Sequence, residues 1–404
     1  MSLVLDRPAW LAAEPTRLIG FARGARVEGG FAWLDDDGRP DPSAGLSLWI
    51  TTRMTHVFAL GELLGEPGCG ELVEHGLAAL AGTFEDPEHG GWVAERGGDA
   101  KRAYEHAFVL LAGSSALAAG HPSGRELLER AGDVVERRFW AEEEGACREA
   151  WDRGWTRAEP YRGANANMHM VEAFLATGDA LREAVWHGRA LRIAERLIGR
   201  EAGAREWRVP EHFAADWTFL PDYNEDRPRD PFRPYGVTPG HGLEWSRLLC
   251  HLHESLTESP AWLLDAARGL FARAVGDGWD SRRGGFAYTT GFDGRPVVAE
   301  RFHWVVCEAI AAAAVLHALT GEQTYGRWFA TFCDYADSRF VDRERGSWRH
   351  ELDPDGRPSS GTWHGKPDVY HALQAALLPA APLTPALAWA LAAQRPGGGG
   401  SSGQ

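Results

Sequence analysis

Cysteine is scarce: five in 404 residues (Cys69, Cys147, Cys250, Cys307, Cys333), far apart and without a CxxC pair. That spacing argues against a thiolate zinc site and fits a reducing compartment, so a cytoplasmic location is expected. Basic runs with interleaved aromatics are missing. With 42 Lys plus Arg against 57 Asp plus Glu, the net charge is -15, which repels phosphate backbones and disfavours nucleic-acid partners. The opening MSLVLDRPAWLAAEP lacks a basic stretch followed by an apolar one, so no secretory signal is read there. No apolar run reads as long enough to cross a bilayer, and no membrane partner is expected. There is no Walker A loop, no GxSxG elbow, no GxGxxG after a strand and no HExxH. Phosphate cofactors and serine hydrolysis lose support, and no cofactor or metal is expected.

What is present is helical. A prior of roughly 100–200 residues per domain suggests two or three domains, but barrels escape that prior because they close as one unit. Apolar residues make up 44% of the chain, enough for a large core, and the 18 tryptophans suit either core or the aromatic walls of a carbohydrate pocket. Residues 5–25 read as a helix interrupted near Pro15. Residues 29–41 read as a short hairpin or loop, and 46–65 as helical from about Thr51. Thereafter a unit recurs: helix, short loop, helix, then a charged Gly turn ending in an aromatic. Gly285-Phe286 and Ser347-Trp348, 62 positions apart, are its clearest pair.

The helices alternate in character. Those at 102–119, 165–177, 241–254, 303–319 and 369–379 carry His, Glu, Asn and aromatics on otherwise apolar faces, as inner walls of a cavity would. Those at 71–82, 124–139, 180–198, 261–275 and 324–338 have a plain apolar stripe and exposed charge, as outer walls would. About six such pairs predict an all-α fold, an (α/α)6 barrel spanning residues 1–394, with RPGGGGSSGQ (395–404) as a flexible tail. The absence of βαβ alternation excludes a doubly wound sheet.

Three histidines on three inner helices stand out. Asn165, His169 and Glu172, at i, i+4 and i+7, share one helical face. His241 and Glu244 share one at i and i+3, at a helix start behind the loop carrying Arg233. His371 follows Trp363-His364-Gly365-Lys366-Pro367-Asp368, where Pro367 suits a helix start. Each alone also fits a bland role: a core histidine satisfied by Asn and Glu, a local salt partner, or a surface residue. Arg53 follows Trp49 and precedes an apolar run, Tyr104 precedes His106 in its helix, and Glu308 is a carboxylate in an Ala-rich helix that needs a partner or a wet cavity.

Taken together, NANMHMVEAFLA, GHGLEWSRLL, KPDVYHALQA and Arg53 resemble the N-acylglucosamine 2-epimerase superfamily, in order from about residue 45 to 378. That resemblance implies an (α/α)6 barrel that interconverts sugars at C1 and C2 without metal or redox cofactor, on a monosaccharide substrate. FRPYGVTPGHG and HGLEWSRLL look most like the aldose–ketose isomerase branch, especially mannose isomerase. It further implies His241 and His371 as the acid–base pair. Trp49, Arg53, Tyr104, Asn165 and His169 would contact the sugar, Glu244 would support His241, Glu308 would hold an acidic position, and Arg233 would be a ligand from the loop. A 2-epimerase or sulfoquinovose isomerase on the same barrel stays open, as does, more remotely, an α/α-barrel glycoside hydrolase.

Overall fold

The computed structural model describes residues 7–395. Of the tail expected at 395–404, residues 396–404 lie outside the described residues. Thirteen α-helices are named here in chain order: α1 (Ala9–Ala22), α2 (Leu48–Leu63), α3 (Cys69–Gly82), α4 (Ala103–Ala119), α5 (Pro122–Val134), α6 (Ala164–Leu181), α7 (Ala184–Ala194), α8 (Pro239–Ser255), α9 (Trp262–Gly278), α10 (His303–Thr320), α11 (Gln323–Arg339), α12 (Tyr370–Leu377) and α13 (Leu387–Gln394). The even-numbered helices from α2 to α12 form an inner ring, each packed on its neighbours, and α12 packs back on α2. Outside them lie α3, α5, α7, α9 and α11. The sixth outer position is filled by α1, which packs on α12 and so joins the two ends of the chain. This is an (α/α)6 barrel. The small helix α13 lies against α2, α4 and α6.

The division follows from the side chains. In α4, α8 and α10 nearly every residue is buried, because both faces of an inner helix meet protein. In α5 and α11 only one stripe is buried. The helix α10 is long and apolar enough to cross a membrane by length and composition, contrary to the sequence reading. Its apolarity has another cause: it packs between α8, α11 and α12 inside the barrel. Pro15 does not interrupt α1; it is buried within a continuous helix. One backbone hydrogen bond is lost there, while Leu11, Leu18 and Ile19, all fully buried, anchor the helix against the core.

Between the helices lie short antiparallel strand pairs; in place of one hairpin over 29–41, residues 26–27 pair with 30–31 and a single bridge joins Leu34 to Pro40. Three of the pairs set inner-helix starts: 100–102 with 150–152, 161–163 with 212–214, and 301–302 with 351–352. The first helical N–H of an inner helix would lack a partner. In α2, α4, α6 and α10 it donates to a carbonyl from beyond the next outer helix, on Ala94 (2.8 Å), Glu149 (2.8 Å), Glu211 (2.9 Å) and His350 (3.1 Å).

The charged Gly turn is a second repeated device. At Asp86, Asp280 and Asp342 the carbonyl accepts from a glycine N–H four residues on (Gly90, Gly284, Gly346) at 2.8–3.0 Å. The next residue is also left-handed: Gly91 (φ 72), Gly285 (φ 84) and Ser347 (φ 55). The carboxylate then pairs with a buried cation just ahead of an inner helix: Lys101 with Asp86, Arg301 with Asp280 and Lys366 with Asp342, each at 2.9 Å. Arg162 and Glu144 make the equivalent pair at 2.8 Å. Lys101 and Lys366 are the only lysines in the chain.

Candidate active site

The starts of the inner helices converge on one hollow of about 680 Å³, counted with its open part. Arg53, Tyr104, Asn165, His169, His241, Glu244, His303, Trp304 and His371, all in the first two turns of inner helices, line it with Trp49. The positive ends of several helix dipoles therefore point into the same space, a setting that favours developing negative charge.

Two histidines are built alike. His371 Nδ1 lies 2.9 Å from Glu308 Oε1, and His241 Nδ1 lies 2.8 Å from Glu211 Oε1. A carboxylate only accepts, so each Nδ1 carries a hydrogen, and Nε2 is the ring atom left to exchange a proton with a bound ligand. Burial lowers the pKa of His371 below the ordinary histidine value, against the raising influence of Glu308, so the ring is neutral near pH 7. The indole of Trp304 lies by both rings, with centroids 5.3 Å from His241 and 5.8 Å from His371.

Glu244 does not support His241 as expected. It sits one turn deeper, 3.7 Å from His169 Nδ1 and 3.5 Å from Arg247. Burial and the nearby Glu308 charge raise its pKa well above the ordinary carboxylate value. Glu308, only 1% exposed, does not line the hollow; it stands behind His371 and is bonded to Arg247 Nε at 2.9 Å. Burial would raise its pKa, but Arg247 and His371 hold it below the ordinary value. Arg247 also comes within 3.5 Å of Glu172.

Arg53 is held for its charge. Its guanidinium donates to Tyr104 Oη at 2.8 Å and to Asp368 Oδ2 at 3.2 Å. The rings of Phe108, Tyr370 and Trp49 surround it with centroids 4.4, 4.7 and 5.0 Å away. Burial alone would lower its pKa, yet Tyr104 and Asp368 keep it above the ordinary arginine value. Burial lowers His169 to about 4, opposed by Glu172.

Arg233 is turned away from this hollow. Its guanidinium is clamped on Glu159 at 2.7 and 2.9 Å and reaches Glu149 at 3.5 Å, facing a neighbouring groove. Its own ion pairs explain the departure from the expected ligand role.

Asp368, Trp304, His303, His350 and Glu211 escape the sequence reading. Asp368 sits in a stretch read only for Pro367 and His371, whereas α12 begins at Tyr370, whose N–H donates to Asp368 at 2.9 Å. Glu211 lies outside any helix, where helical periodicity gives no signal. Its place in the repeat does: it is the residue whose carbonyl takes the first N–H of α6, as Glu149 does for α4 and His350 for α10.

The model of the N-acylglucosamine 2-epimerase (GlcNAc 2-epimerase) family matches residues 29–375. The chain belongs to that family. It is 55% identical over 393 residues to a D-mannose isomerase of Thermobifida fusca, covering 95% of this chain and 97% of that protein. It is 50% identical over 392 residues to a D-mannose isomerase of Pseudomonas cannabina pv. alisalensis, covering 95% of both. A crystal structure of a D-mannose isomerase superposes with a TM-score of 0.86 at 29% identity, covering 93% of this chain and 98% of that one.

Proposed function

We propose that this protein is an aldose–ketose isomerase that interconverts D-mannose and D-fructose. The observation that carries the chemistry is the pair of carboxylate-backed histidines facing one hollow with Arg53. The high identity to proteins named D-mannose isomerase supports the sugar.

In this reading the pyranose opens first. A proton leaves the C1 hydroxyl, the C1–O5 bond breaks and O5 is protonated, with His241 Nε2 as the exchanging group. C1 is now an aldehyde, which makes the C2 proton acidic. His371 Nε2 takes that proton, the electron pair forms a C1–C2 double bond, and negative charge develops on O1. Arg53 and the helix starts stabilise that oxygen. The O2 hydroxyl then gives up its proton and O1 gains one, with His241 Nε2 exchanging it, while the proton on His371 returns to C1; C2–O2 becomes the ketone, and fructose results. A 2-epimerase would return the proton to the opposite face of C2 instead; the named relatives favour delivery to C1.

A hydrolase is disfavoured by the site itself. It needs two carboxyl groups flanking one bond. The carboxyl groups lining the hollow are Glu244 and Asp368, and Asp368 is committed to Arg53 and the Tyr370 N–H. A metal role for His169, Glu172 and Glu244, whose ligand atoms lie within 4.8 Å of one another, is disfavoured by Arg247. That cation lies 3.5 Å from both carboxylates and would repel a second.

Incubation with D-mannose in the presence of EDTA should give fructose until equilibrium. Failure to form fructose from mannose, with or without divalent metal, would reject this reading.

A further inference from the structure

Beside the sugar hollow runs a groove of about 2040 Å³, again counted with its open part. Trp49, Tyr104, Asn165 and Phe232 line both spaces, so the two are separated by little more than side chains. Phe232 stands at that boundary. It is one of the few large apolar residues left exposed, at 37%. Its ring meets those of Trp49, Tyr104 and Trp363 edge-on, with centroids 6.0, 5.7 and 5.6 Å away. Those three rings come from α2, α4 and the loop ahead of α12, so one side chain joins three walls of the hollow.

The loop holds this ring in place. Asp230 Oδ1 accepts from the Phe232 and Arg233 N–H groups at 3.1 and 2.8 Å. Asn165 Nδ2 donates to the Phe232 carbonyl at 3.4 Å. Arg233 is clamped on Glu159, and its guanidinium lies 4.1 Å from the Tyr161 ring centroid. A phenyl ring left more than a third exposed by a firmly held backbone adds less to the core than a buried one. It does close the side of a polar pocket.

We propose that Phe232 sets the size of the sugar this site accepts: its ring seals the hollow from the groove and excludes sugars carrying a second glycosyl unit. The inference rests on the sugar-isomerase reading above. Without the ring the hollow opens past Trp49, Tyr104 and Asn165 into a groove lined by Trp151, Tyr223 and several carboxylates. Such a mixture of aromatic faces and hydrogen-bond acceptors suits a second saccharide unit. The ligand class that removal would admit is a reducing-end disaccharide whose reducing unit is mannose.

The test compares wild type with Phe232→Ala and Phe232→Leu on mannose and on a β-1,4-linked disaccharide ending in mannose. The quantity read is the ratio of kcat/KM for disaccharide to that for mannose. Wild type should strongly prefer mannose. Phe232→Ala should raise the ratio about 10-fold or more, mainly through a lower KM for the disaccharide, with Phe232→Leu between. Mannose kcat/KM itself should fall, since a wall of the hollow is lost. Disaccharide turnover by wild type equal to that of mannose would overturn the proposal, as would an unchanged ratio in both variants. Tryptophan fluorescence, reporting through Trp49 and Trp363, reads disaccharide binding separately. If wild type leaves mannose unchanged, the isomerase reading fails, and binding of the disaccharide by the variants but not by wild type still decides the role of Phe232. If Phe232→Ala does not fold, the Leu variant carries the comparison.

Discussion

A carboxylate on Nδ1 both orients an imidazole and raises its proton affinity, while burial lowers it. For His371 burial prevails. The base form is the neutral ring, and it is lost only as pH falls through the folded pKa. The acid limb of kcat/KM on mannose should therefore have its midpoint below about 6.5, the ordinary histidine value. Glu308→Gln removes the raising partner, so the limb should move to still lower pH. The plateau should also fall, by a factor within the ~10²–10⁴ that general-base catalysis contributes, because an amide no longer fixes the Nδ1–H tautomer. A pH–rate profile of both proteins checks the two effects together. The division of labour between the histidines has its own test. Dihydroxyacetone cannot close to a pyranose, so His241→Asn should retain exchange of its carbon-bound protons with D2O, followed by proton NMR, and His371→Asn should not. Equal loss in both variants would show that the two rings act together on the carbon proton.

At the scale of elements, the charged Gly turns make stability predictions. Ser347 occupies a left-handed position that glycine fills at Gly91 and Gly285, and its buried hydroxyl has no partner. Left-handed backbone costs a non-glycine residue roughly 1–2 kcal/mol, and an unsatisfied buried hydroxyl about 1–3. Against this, glycine costs about 0.5–1 kcal/mol in chain entropy. Ser347→Gly should thus stabilise the protein by about 1 kcal/mol or more, read as a higher denaturant midpoint. Lys366 is the opposite case. Its ammonium bonds Asp342 and the carbonyls of Asp36 and Gly346 at 2.8–2.9 Å. Lys366→Met should lose about 3–5 kcal/mol, the usual cost of stranding a buried partner. Urea unfolding followed by circular dichroism would show it.

These elements also mark what the sequence discloses. The inner and outer helices are legible because burial on two faces and burial on one leave different residue patterns. The same contrast brings out Arg53, Tyr104, Asn165, His169, His241 and His371, polar residues on faces otherwise given to core. Periodicity says nothing about residues that reach the site from loops, which is why that reading gives Asp368, Glu211 and Phe232 no role. Nor does spacing tell which carboxylate backs which histidine. Glu244 is near His241 in sequence, yet Glu211, 30 positions away, makes the bond.

At the scale of the whole molecule, the ring is closed by α1 against α12, the helix that carries His371. Arg7 adds a bond to the Ala376 carbonyl at 2.6 Å. Deleting residues 1–22 should uncover α12, broaden the thermal transition and abolish isomerisation, even though no residue of α1 lines the hollow. Calorimetry beside the mannose assay would check this. A narrow transition with retained activity would show that the ring closes without α1.

The same closure bears on how the chain is made. The helix α1 is translated well before its partner α12, with Ala22 and Tyr370 marking the interval. At about 5–20 residues per second, that is some tens of seconds on the ribosome. Throughout it, α1, whose Leu11, Leu18, Ile19 and Ala22 are each 0% exposed in the finished fold, has α2 but not yet α12 to pack on. The helices can form in order of synthesis, but the barrel cannot seal until α12 leaves the exit tunnel, and an early stop codon anywhere before α12 yields an open ring with no His371.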